Sequence, residues 1–257
     1  MSVQTAERVS LHEQSDNVIF QRHLVAYRHA RQYTQGNALE VGCGEGYGLA
    51  YLAPLAQEYT AIDKYSANIE AYTKDMSNIY FVPMSVPPIG FADSLFDVVV
   101  TFQVIEHIED DKNFVKEIYR VLKPGGKLVL TTPNRYMSLT RNPWHVREYT
   151  TAELHKLLAS HFPQVEMNGV YGNDKVMQYY EENKRSVARF TRFDLLNLQY
   201  RLPRQLLQIP YDLLNRLNRR LLLKGNKGLV SNISADDYHV APANDLCFDL
   251  LAVATKA

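Results

Sequence analysis

Short apolar runs alternate with longer segments of mixed polarity along the first two thirds of the chain. The runs are rich in β-branched and aromatic residues and stop at glycine, proline or acidic residues, as buried strands do. The longer segments repeat their apolar positions every three or four residues, as amphipathic helices do. The pattern predicts strands at 38–41, 59–63, 79–82, 96–102, 127–132 and 164–171 and helices at 17–33, 47–53, 111–121 and 153–161. This alternation is typical of parallel β-α-β units with right-handed crossovers.

The last predicted strand is separated from the others by a long leucine-rich stretch. It covers residues 245–254, whereas the preceding strand ends at residue 171. We therefore predict one α/β domain made of residues 1–171 and 236–257, with a helical insertion at 172–235. Within the insertion, Pro210 suits the first position of a helix and Gly225 the position just after its end.

Charge is distributed unevenly between the insertion and the rest of the chain. The formal net charge is zero, with 28 basic and 28 acidic residues. Residues 183–228 contain eleven Lys or Arg and two acidic residues, a net charge of +9 that leaves −9 on the remainder. The leucines of the predicted helix either pack on the domain or on a second copy of the chain in a homodimer, or they make peripheral contact with an anionic membrane. Few aromatic residues interleave with the basic ones, which disfavours nucleic acid as a partner.

Composition is typical of a globular protein from a reducing compartment. Hydrophobic residues make up 46% of the chain, and its two cysteines, Cys43 and Cys247, fall within predicted core elements, which disfavours a disulfide framework. Residues 1–17 contain no apolar run resembling a signal peptide, and no stretch approaches the ~20 apolar residues of a membrane-spanning helix. We therefore predict a cytoplasmic location, peripheral to the inner membrane if the basic insertion binds lipid.

Three glycines at alternate positions follow the first strand. Gly42, Gly44 and Gly46 come just after Glu40, and glycine in such a turn permits positive φ angles and the close approach of a ligand. The helix that follows would direct its N-terminal amide groups towards the same ligand. The G-x-G-x-G spacing differs from the G-x-G-x-x-G expected for NAD, which disfavours an NAD-dependent oxidoreductase. Asp63 ends the second strand, where α/β nucleotide sites place the carboxylate that accepts ribose hydroxyls.

Five motifs occur in order along this framework. They are E-V-G-C-G at 40–44, F-D-V-V at 96–99, I-E-H at 105–107, L-K-P-G-G at 122–126 and T-P-N at 132–134. With these motifs the chain resembles the class I S-adenosylmethionine-dependent methyltransferases, in particular the methyltransferase type 11 and quinone-methyltransferase-like group, over roughly residues 20–171 and the final strand. The resemblance implies a Rossmann-like α/β fold with a seven-stranded, mostly parallel sheet, helices on both faces and a helical insertion before the last strand.

The resemblance also implies S-adenosylmethionine as the cofactor and places a set of residues around it. These are Glu40, Gly42, Cys43, Gly44, Gly46, Asp63, Lys64, Ser85, Val86 and Gln103. Glu40 would bind near the amino group of the cofactor, Asp63 its ribose hydroxyls and Gln103 its methionine end. Family members usually carry an aspartate after the third strand, where this chain has Ser85 and Val86. A hydroxyl and the backbone would therefore recognise adenine here.

Candidate groups for the transfer chemistry follow the fourth and fifth strands. The resemblance places Glu106 and His107 on the acceptor side, and His145 lies in a second polar cluster at 142–149. Imidazole titrates near neutrality, so His107 or His145 is a candidate general base, with a structural role as the alternative. All three residues would converge on a divalent metal if this site resembled those of some quinone and RNA methyltransferases. Gln103 stands where those enzymes often carry glutamate, so we predict no metal site.

The predicted function is S-adenosylmethionine-dependent methyl transfer, with O-methylation of a small-molecule, glycan or lipid-linked acceptor. Two alternatives remain. One is an RNA ribose methyltransferase, which would require metal and would lose activity steeply with salt. The other is a catalytically silent cofactor-binding module that regulates a partner through the basic insertion.

Overall fold

The structure, a computed structural model, describes residues 13–65, 76–194 and 196–257. Its strands are β1 (Asn37–Val41), β2 (Glu58–Asp63), β3 (Ile79–Pro83), β4 (Phe96–Phe102), β5 (Leu122–Pro133), β6 (Gln164–Gly172), β7 (Tyr238–Pro242) and β8 (Asp249–Thr255). Its helices are α1 (Asn17–Ala30), α2 (Leu49–Leu52), α3 (Asp111–Val121), α4 (Thr151–Ala159), α5 (Asp174–Thr191), α6 (Leu198–Arg201), α7 (Arg204–Gly225) and α8 (Lys227–Asn232). Residues 1–12, which belong to the segment where we predict no signal peptide, lie outside the described residues.

These strands form one sheet in the order β3-β2-β1-β4-β5-β8-β6-β7. Neighbours from β3 to β5 are parallel, whereas β8 runs antiparallel to both β5 and β6. The mostly parallel α/β fold is confirmed, but the described sheet has eight strands rather than the seven that we predicted. The additional strand, β7, pairs with the edge of β6 between Asn168 and Gly172. The sequence pattern does not mark residues 238–242 as a strand, and their pairing covers backbone groups of β6 that would otherwise form an open edge.

Alternate residues of the central strands face two apolar layers, one on each side of the sheet. In β4, Val98 and Val100 belong to the layer that includes α1, α2 and α5, whereas Val99 belongs to the layer with α3 and α4. This division follows from the two-residue repeat of a strand. Helices cover both faces, so the central strands are apolar on both sides and their polar chemistry is confined to the strand ends.

Two elements begin five or more residues earlier than predicted. β5 begins at Leu122 rather than at residue 127, because Leu122 pairs with Phe96 before the ladder shifts register. α7 begins at Arg204, so Pro210 lies inside the helix instead of at its first position. The helix start that we assigned to Pro210 is provided by Pro203, which precedes the first turn.

The side chain of Asn134 holds the turn before β8. Asn134 is buried directly after β5, and its Nδ2 donates to the carbonyl oxygens of Asp245 and Cys247 at 3.2 and 2.8 Å. Its Oδ1 accepts from the backbone N–H of Tyr136 at 3.2 Å. These bonds commit the residues before Asp249 to a turn, which explains why β8 begins there rather than at residue 245.

Residues between β6 and β7 form the helices α5, α6, α7 and α8, in agreement with the predicted helical character of the insertion. Asn173 caps the start of α5, because its side chain accepts from the backbone N–H groups of Lys175 and Val176. Among the residues that the structure describes, no helix has the length and apolar character needed to cross a membrane.

Replacing Asn134 by alanine should lower the free energy of unfolding by about 1–3 kcal/mol, because buried carbonyl groups of the turn lose their donor. Urea denaturation of the wild type and Asn134→Ala measures the change. Gln205→Ala, at an exposed position of α7, is the control and should change stability by less than about 0.5 kcal/mol. Equal stabilities of wild type and Asn134→Ala would mean that other contacts hold the turn.

Candidate active site

The loop after β1 has the backbone conformation that its glycines predict. Gly42, Gly44 and Gly46 have φ angles of +81°, +58° and +88°. A Cβ atom on Gly42 would lie 2.3 Å from Cγ2 of Val104, so the loop approaches the residues after β4 more closely than a side chain would permit. A Cβ atom on Gly44 would meet no described atom within 4 Å, so the backbone there borders open space.

Backbone hydrogen bonds join the glycine loop to β2. The N–H groups of Gly42 and Cys43 donate to the carbonyl oxygen of Ile62 at 2.8 and 3.2 Å, and the N–H of Gly46 donates to the carbonyl oxygen of Cys43 at 2.9 Å. The side chain of Cys43 is buried in the apolar layer beneath the loop. Cys43 is predicted to contact the cofactor. Its backbone therefore belongs to the glycine loop, and its thiol belongs to the core.

The carboxylate of Asp63 lies at the end of β2, beside the glycine loop. Its Oδ2 accepts from the N–H of Gly44 and its Oδ1 from the N–H of Tyr65, each at 2.9 Å. The structure therefore brings the glycines and Asp63 together, although they come from different strands.

Lys64, Ser85 and Val86 occupy the same edge of the sheet. Lys64 follows β2 directly and is exposed. The backbone N–H of Met84 donates to the carbonyl oxygen of Asp63 at 2.9 Å, which holds the residues after β3 beside β2. Ser85 is exposed and Val86 is half-buried. Ser85 and Val86, which we expect to recognise adenine, are thus adjacent to Asp63, which we expect to bind the ribose.

Both carboxylate oxygens of Glu40 accept hydrogen bonds from tyrosine hydroxyls inside the protein. Tyr27 of α1 donates to Oε1 at 2.6 Å, and Tyr59 of β2 donates to Oε2 at 2.9 Å. Burial raises the pKa of Glu40 to about 7, although the two tyrosine bonds favour its ionised form. Sequence reasoning missed Tyr27, because nothing in the pattern of α1 distinguishes it from other core residues. The contact of Glu40 with the amino group of a cofactor stays a prediction.

The segment after β4 turns sharply into a second polar group. Gln103 has a φ angle of +57°, and its N–H donates to the carbonyl oxygen of Thr131 at 2.9 Å. Glu106 follows in the short helical turn Ile105–His107, is buried, and accepts from the hydroxyl of Thr132 at 2.9 Å. Burial raises the pKa of Glu106 against the opposing effect of two neighbouring histidines.

Hydrogen bonds determine which nitrogen of each histidine carries the hydrogen in the neutral ring. Nδ1 of His107 lies 3.1 Å from the carbonyl oxygen of Trp144, which only accepts, so Nε2 is the basic atom. Nδ1 of His145 lies 2.7 Å from Oε1 of Glu148, and its Nε2 lies 2.9 Å from Nδ2 of Asn142. The amide donates to Nε2 of His145, so the basic atom of this ring is already an acceptor. The two rings thus differ in their partners: a backbone carbonyl oxygen at Nδ1 of His107, and a carboxylate and an amide at the two nitrogens of His145.

Glu106, His107 and His145 lie close together, as the metal-site alternative would require. One ligand atom of each lies within 4.8 Å of the others, and the two imidazole rings stand edge to face with centroids 5.0 Å apart. Two imidazoles and one carboxylate are donors typical of Zn²⁺ or Fe²⁺, whereas Mg²⁺ prefers several oxygen ligands. This donor set does not fit Mg²⁺, and the expectation of no metal site stays a prediction.

A cavity of about 620 Å³ lies between the ends of β4 and β5, α1, α5 and α7. Gln103, Glu106, His107 and His145 line one part of its wall. Much of the remaining wall is apolar and includes Val18, Ile19, Met137, Val187, Leu214 and Phe248. Arg22 of α1 also lines the cavity, with its Nε 2.9 Å from Oδ2 of the buried Asp249. No sequence motif marks Arg22, because its position depends on how α1 packs.

The two groups of predicted residues are neighbours at one edge of the sheet. The glycine loop and Asp63 do not belong to the cavity wall. Gln103 does belong to the cavity wall. The close approach of Gly42 to Val104 places the glycine loop and Asp63 next to Gln103. A ligand on the glycine loop and a ligand in the cavity would therefore meet near Gln103.

Comparisons with known proteins agree with this arrangement. Residues 39–130 match a family model described as a methyltransferase domain. A protein from Mycolicibacterium smegmatis, named as a probable S-adenosylmethionine-dependent methyltransferase, is 36% identical over 160 residues, which cover 60% of this chain and 62% of that protein. A ubiquinone biosynthesis O-methyltransferase from Rickettsia conorii is 36% identical over 101 residues, covering 38% of this chain and 35% of that protein.

A solved structure is similar in fold. The N-methyltransferase NodS from Bradyrhizobium japonicum, in complex with S-adenosyl-L-homocysteine, has a TM-score of 0.51 and 25% sequence identity, and the match covers 58% of this chain and 78% of that one. The chain spans less than two thirds of the length of the curated relatives it matches. The residues that match the family model include the glycine loop, Asp63 and the residues after β4.

The buried carboxyl group of Glu40 should make stability depend on pH. Its pKa in the folded chain is about 7, above the ordinary value of 4.5, so the folded state binds this proton more tightly than the unfolded state. The resulting stabilisation is complete below about pH 4.5 and is lost as the pH rises through about 7. The stability of the wild type relative to Glu40→Gln should therefore fall by about 3 kcal/mol over this range.

Urea denaturation of both proteins at several pH values measures this difference. Glu181→Gln, at an exposed glutamate of α5, is the matched control for replacing a surface carboxylate by an amide. A difference between wild type and Glu40→Gln that is constant with pH would show that Glu40 keeps one charge state throughout.

Proposed function

The chain belongs to the class I S-adenosylmethionine-dependent methyltransferases, and on that premise we propose that it transfers a methyl group to an oxygen atom of an acceptor bound in the cavity. Support comes from the two groups of residues at one edge of the sheet. The open space at Gly44 and the carboxylate of Asp63 fit a nucleoside that lies along the ends of β1 and β2. Glu106, His107 and His145 line the adjoining cavity, on the acceptor side.

The wall of the cavity favours an acceptor with a large apolar part. Apolar surface predominates in this wall and includes Val187 of α5 and Leu214 of α7, although polar residues line it both beside Glu106 and on α5 and α7. Ligand sites generally match apolar ligand surface with apolar walls and use a few polar groups for orientation. Among the small-molecule, glycan and lipid-linked acceptors predicted, we therefore favour an aromatic or lipid-linked hydroxyl. The relative from Rickettsia conorii, named as an O-methyltransferase, supports oxygen as the acceptor atom.

His107 is the proposed general base. Trp144 holds the hydrogen of the neutral ring on Nδ1, so Nε2 accepts the proton of the acceptor hydroxyl as its oxygen becomes the nucleophile. S-adenosylmethionine, when bound, supplies a methyl group on a positive sulfur atom, which is a good leaving group. Gln103 and the glycine loop would position the methionine end, and alignment of this kind contributes much of the rate enhancement in such reactions.

We place the reaction in the cytoplasm. Cys43 and Cys247 are both buried thiols, and thiols are usual in proteins of a reducing compartment. The anionic lipids of the inner membrane would be available to the basic insertion from that side.

Replacing Asp63 by alanine should lower the affinity for S-adenosylhomocysteine by about a hundredfold, because the ribose loses a charged acceptor for its hydroxyls. Isothermal titration calorimetry measures the affinity, and circular dichroism checks that the fold is retained. Asp236→Ala, at an exposed aspartate paired with Arg28, is the control and should leave the affinity within about twofold. Unchanged affinity of Asp63→Ala would refute the ribose assignment.

Replacing His107 by alanine should reduce methyl transfer by about a hundredfold or more and leave cofactor affinity unchanged, because a general base typically contributes that much. The readout is incorporation of label from methyl-labelled S-adenosylmethionine into fractions of a bacterial lysate. His145→Ala should have the smaller effect, since Asn142 already donates to the basic atom of its ring. His155→Ala, at an exposed position of α4, is the control.

The fraction that takes up label separates the proposal from its alternatives. Label in the solvent-extractable fraction supports an apolar acceptor, and label in RNA supports a ribose methyltransferase. No label in any fraction, with cofactor binding intact, supports the silent regulatory module. Full turnover of both His107→Ala and His145→Ala would make the two histidines structural.

A further inference from the structure

α7 turns its apolar side to solvent. We define the α7 outer face as the exposed apolar residues at three- and four-residue spacing along this helix: Leu206, Ile209, Leu213, Leu214, Leu217 and Leu221. Their exposed fractions lie between 46% and 73%. The expectation that these leucines pack on the domain is therefore wrong for the outer face.

Polar contacts on the opposite side of α7 explain this orientation. Asp212 accepts from the indole Nε1 of Trp144 at 3.0 Å. Arg219 pairs with Asp16 at 2.8 Å, and both side chains are largely buried. Asn218 is buried and accepts from the hydroxyl of Ser186 at 2.6 Å. A charged pair and several hydrogen bonds thus attach the helix to the body of the protein, and the apolar face is left outside.

The apolar surface extends beyond α7. Ten of the sixteen large apolar side chains that are exposed in the described parts of the chain lie within residues 193–221. Phe193 is 75% exposed and Tyr200 63%, so the segment between α5 and α7 extends the apolar surface of the helix. Surface apolar residues are normal when scattered, but such a concentration marks an interaction surface.

The charge around this surface is positive. Residues 183–228 carry a net charge of +9, against −9 for the rest of the chain. Exposed basic residues of the same segment include Arg185, Arg189, Arg192, Arg201, Arg220 and Lys224. Arg220 and Lys224 follow Leu217 and Leu221 at helical spacing, so they lie on the same side of α7.

We propose that the α7 outer face docks on an anionic lipid bilayer. Leucines at the level of the headgroups and basic side chains beside them are the two features by which interfacial helices bind such membranes. A second copy of the chain is the less favourable occupant. In a two-fold symmetric dimer the same patch meets itself, so two segments of charge +9 would face each other.

Docking would bring the bilayer to the mouth of the cavity. Phe193, Leu198 and Leu214 line the cavity and are also exposed, so they mark where its wall reaches the surface. An acceptor dissolved in the bilayer would then enter the cavity without crossing water. This consequence rests on the methyl transfer proposed above, whereas the docking itself does not.

Co-sedimentation of the full chain with lipid vesicles, without cofactor, tests the docking. Binding to phosphatidylcholine vesicles that contain about 30% phosphatidylglycerol should be at least about tenfold stronger than to pure phosphatidylcholine, and should weaken with salt. Leu213→Ser/Leu217→Ser should reduce binding at least about tenfold, because two apolar anchors are lost. Arg220→Gln/Lys224→Gln should abolish most of the preference for the anionic vesicles.

The control removes equally exposed apolar residues outside the insertion. Tyr80→Ser/Leu246→Ser, at positions 53% and 69% exposed, should bind vesicles as the wild type does. S-adenosylhomocysteine affinity, measured on every variant, shows that each one is folded and tests the cofactor site independently of docking. Absence of vesicle binding, or wild-type binding by Leu213→Ser/Leu217→Ser, would overturn the proposal. So would a dimer, measured by light scattering, that those two substitutions dissociate.

Discussion

The close approach of Gly42 to Val104 is the constraint on which the candidate site depends. β1 and β4 are adjacent parallel strands, so their carboxyl ends meet at one edge of the sheet. A Cβ atom on Gly42 would lie 2.3 Å from the Val104 side chain and would push the two loops apart. Because glycine occupies this position, the loop expected to hold the cofactor lies against the segment that carries Gln103 and the candidate base. Cofactor and acceptor would therefore meet at a point set by backbone contact.

Trp144 connects the proposed chemistry with the proposed membrane surface. Its carbonyl oxygen determines the hydrogen position on His107, and its indole donates to Asp212 of α7. The backbone of Glu106 joins the same loop, since its carbonyl oxygen accepts from the N–H of Val146 at 2.7 Å. Trp144 thus contacts both α7, the helix that would meet lipid, and His107, the ring that would accept a proton. The cavity lies between this helix and this ring. A displacement of α7 would reach His107 through a single side chain.

Tyr27 attaches α1 to the glycine loop in two ways. Its hydroxyl donates to the buried Glu40, and its ring fills the space over Gly48, where a Cβ atom would lie 1.9 Å from Cε1 of the tyrosine. A buried carboxyl group is normally unfavourable, but here both of its oxygens accept hydrogen bonds. α1 also supplies Arg22 to the cavity wall, so the position of this helix affects both halves of the site.

The sequence alone determined the order of the elements, the glycine loop and the place of Asp63, because periodicity and turn chemistry are local. β4 and α3 agree with their predicted limits for this reason. Tertiary structure decided the partners of Glu40, the partners of the two histidines and the side of α7 that faces solvent. A leucine repeat shows that a helix has an apolar side but not whether that side is buried. Contacts with Asp16 and Trp144, which are distant in sequence, settle that question for α7.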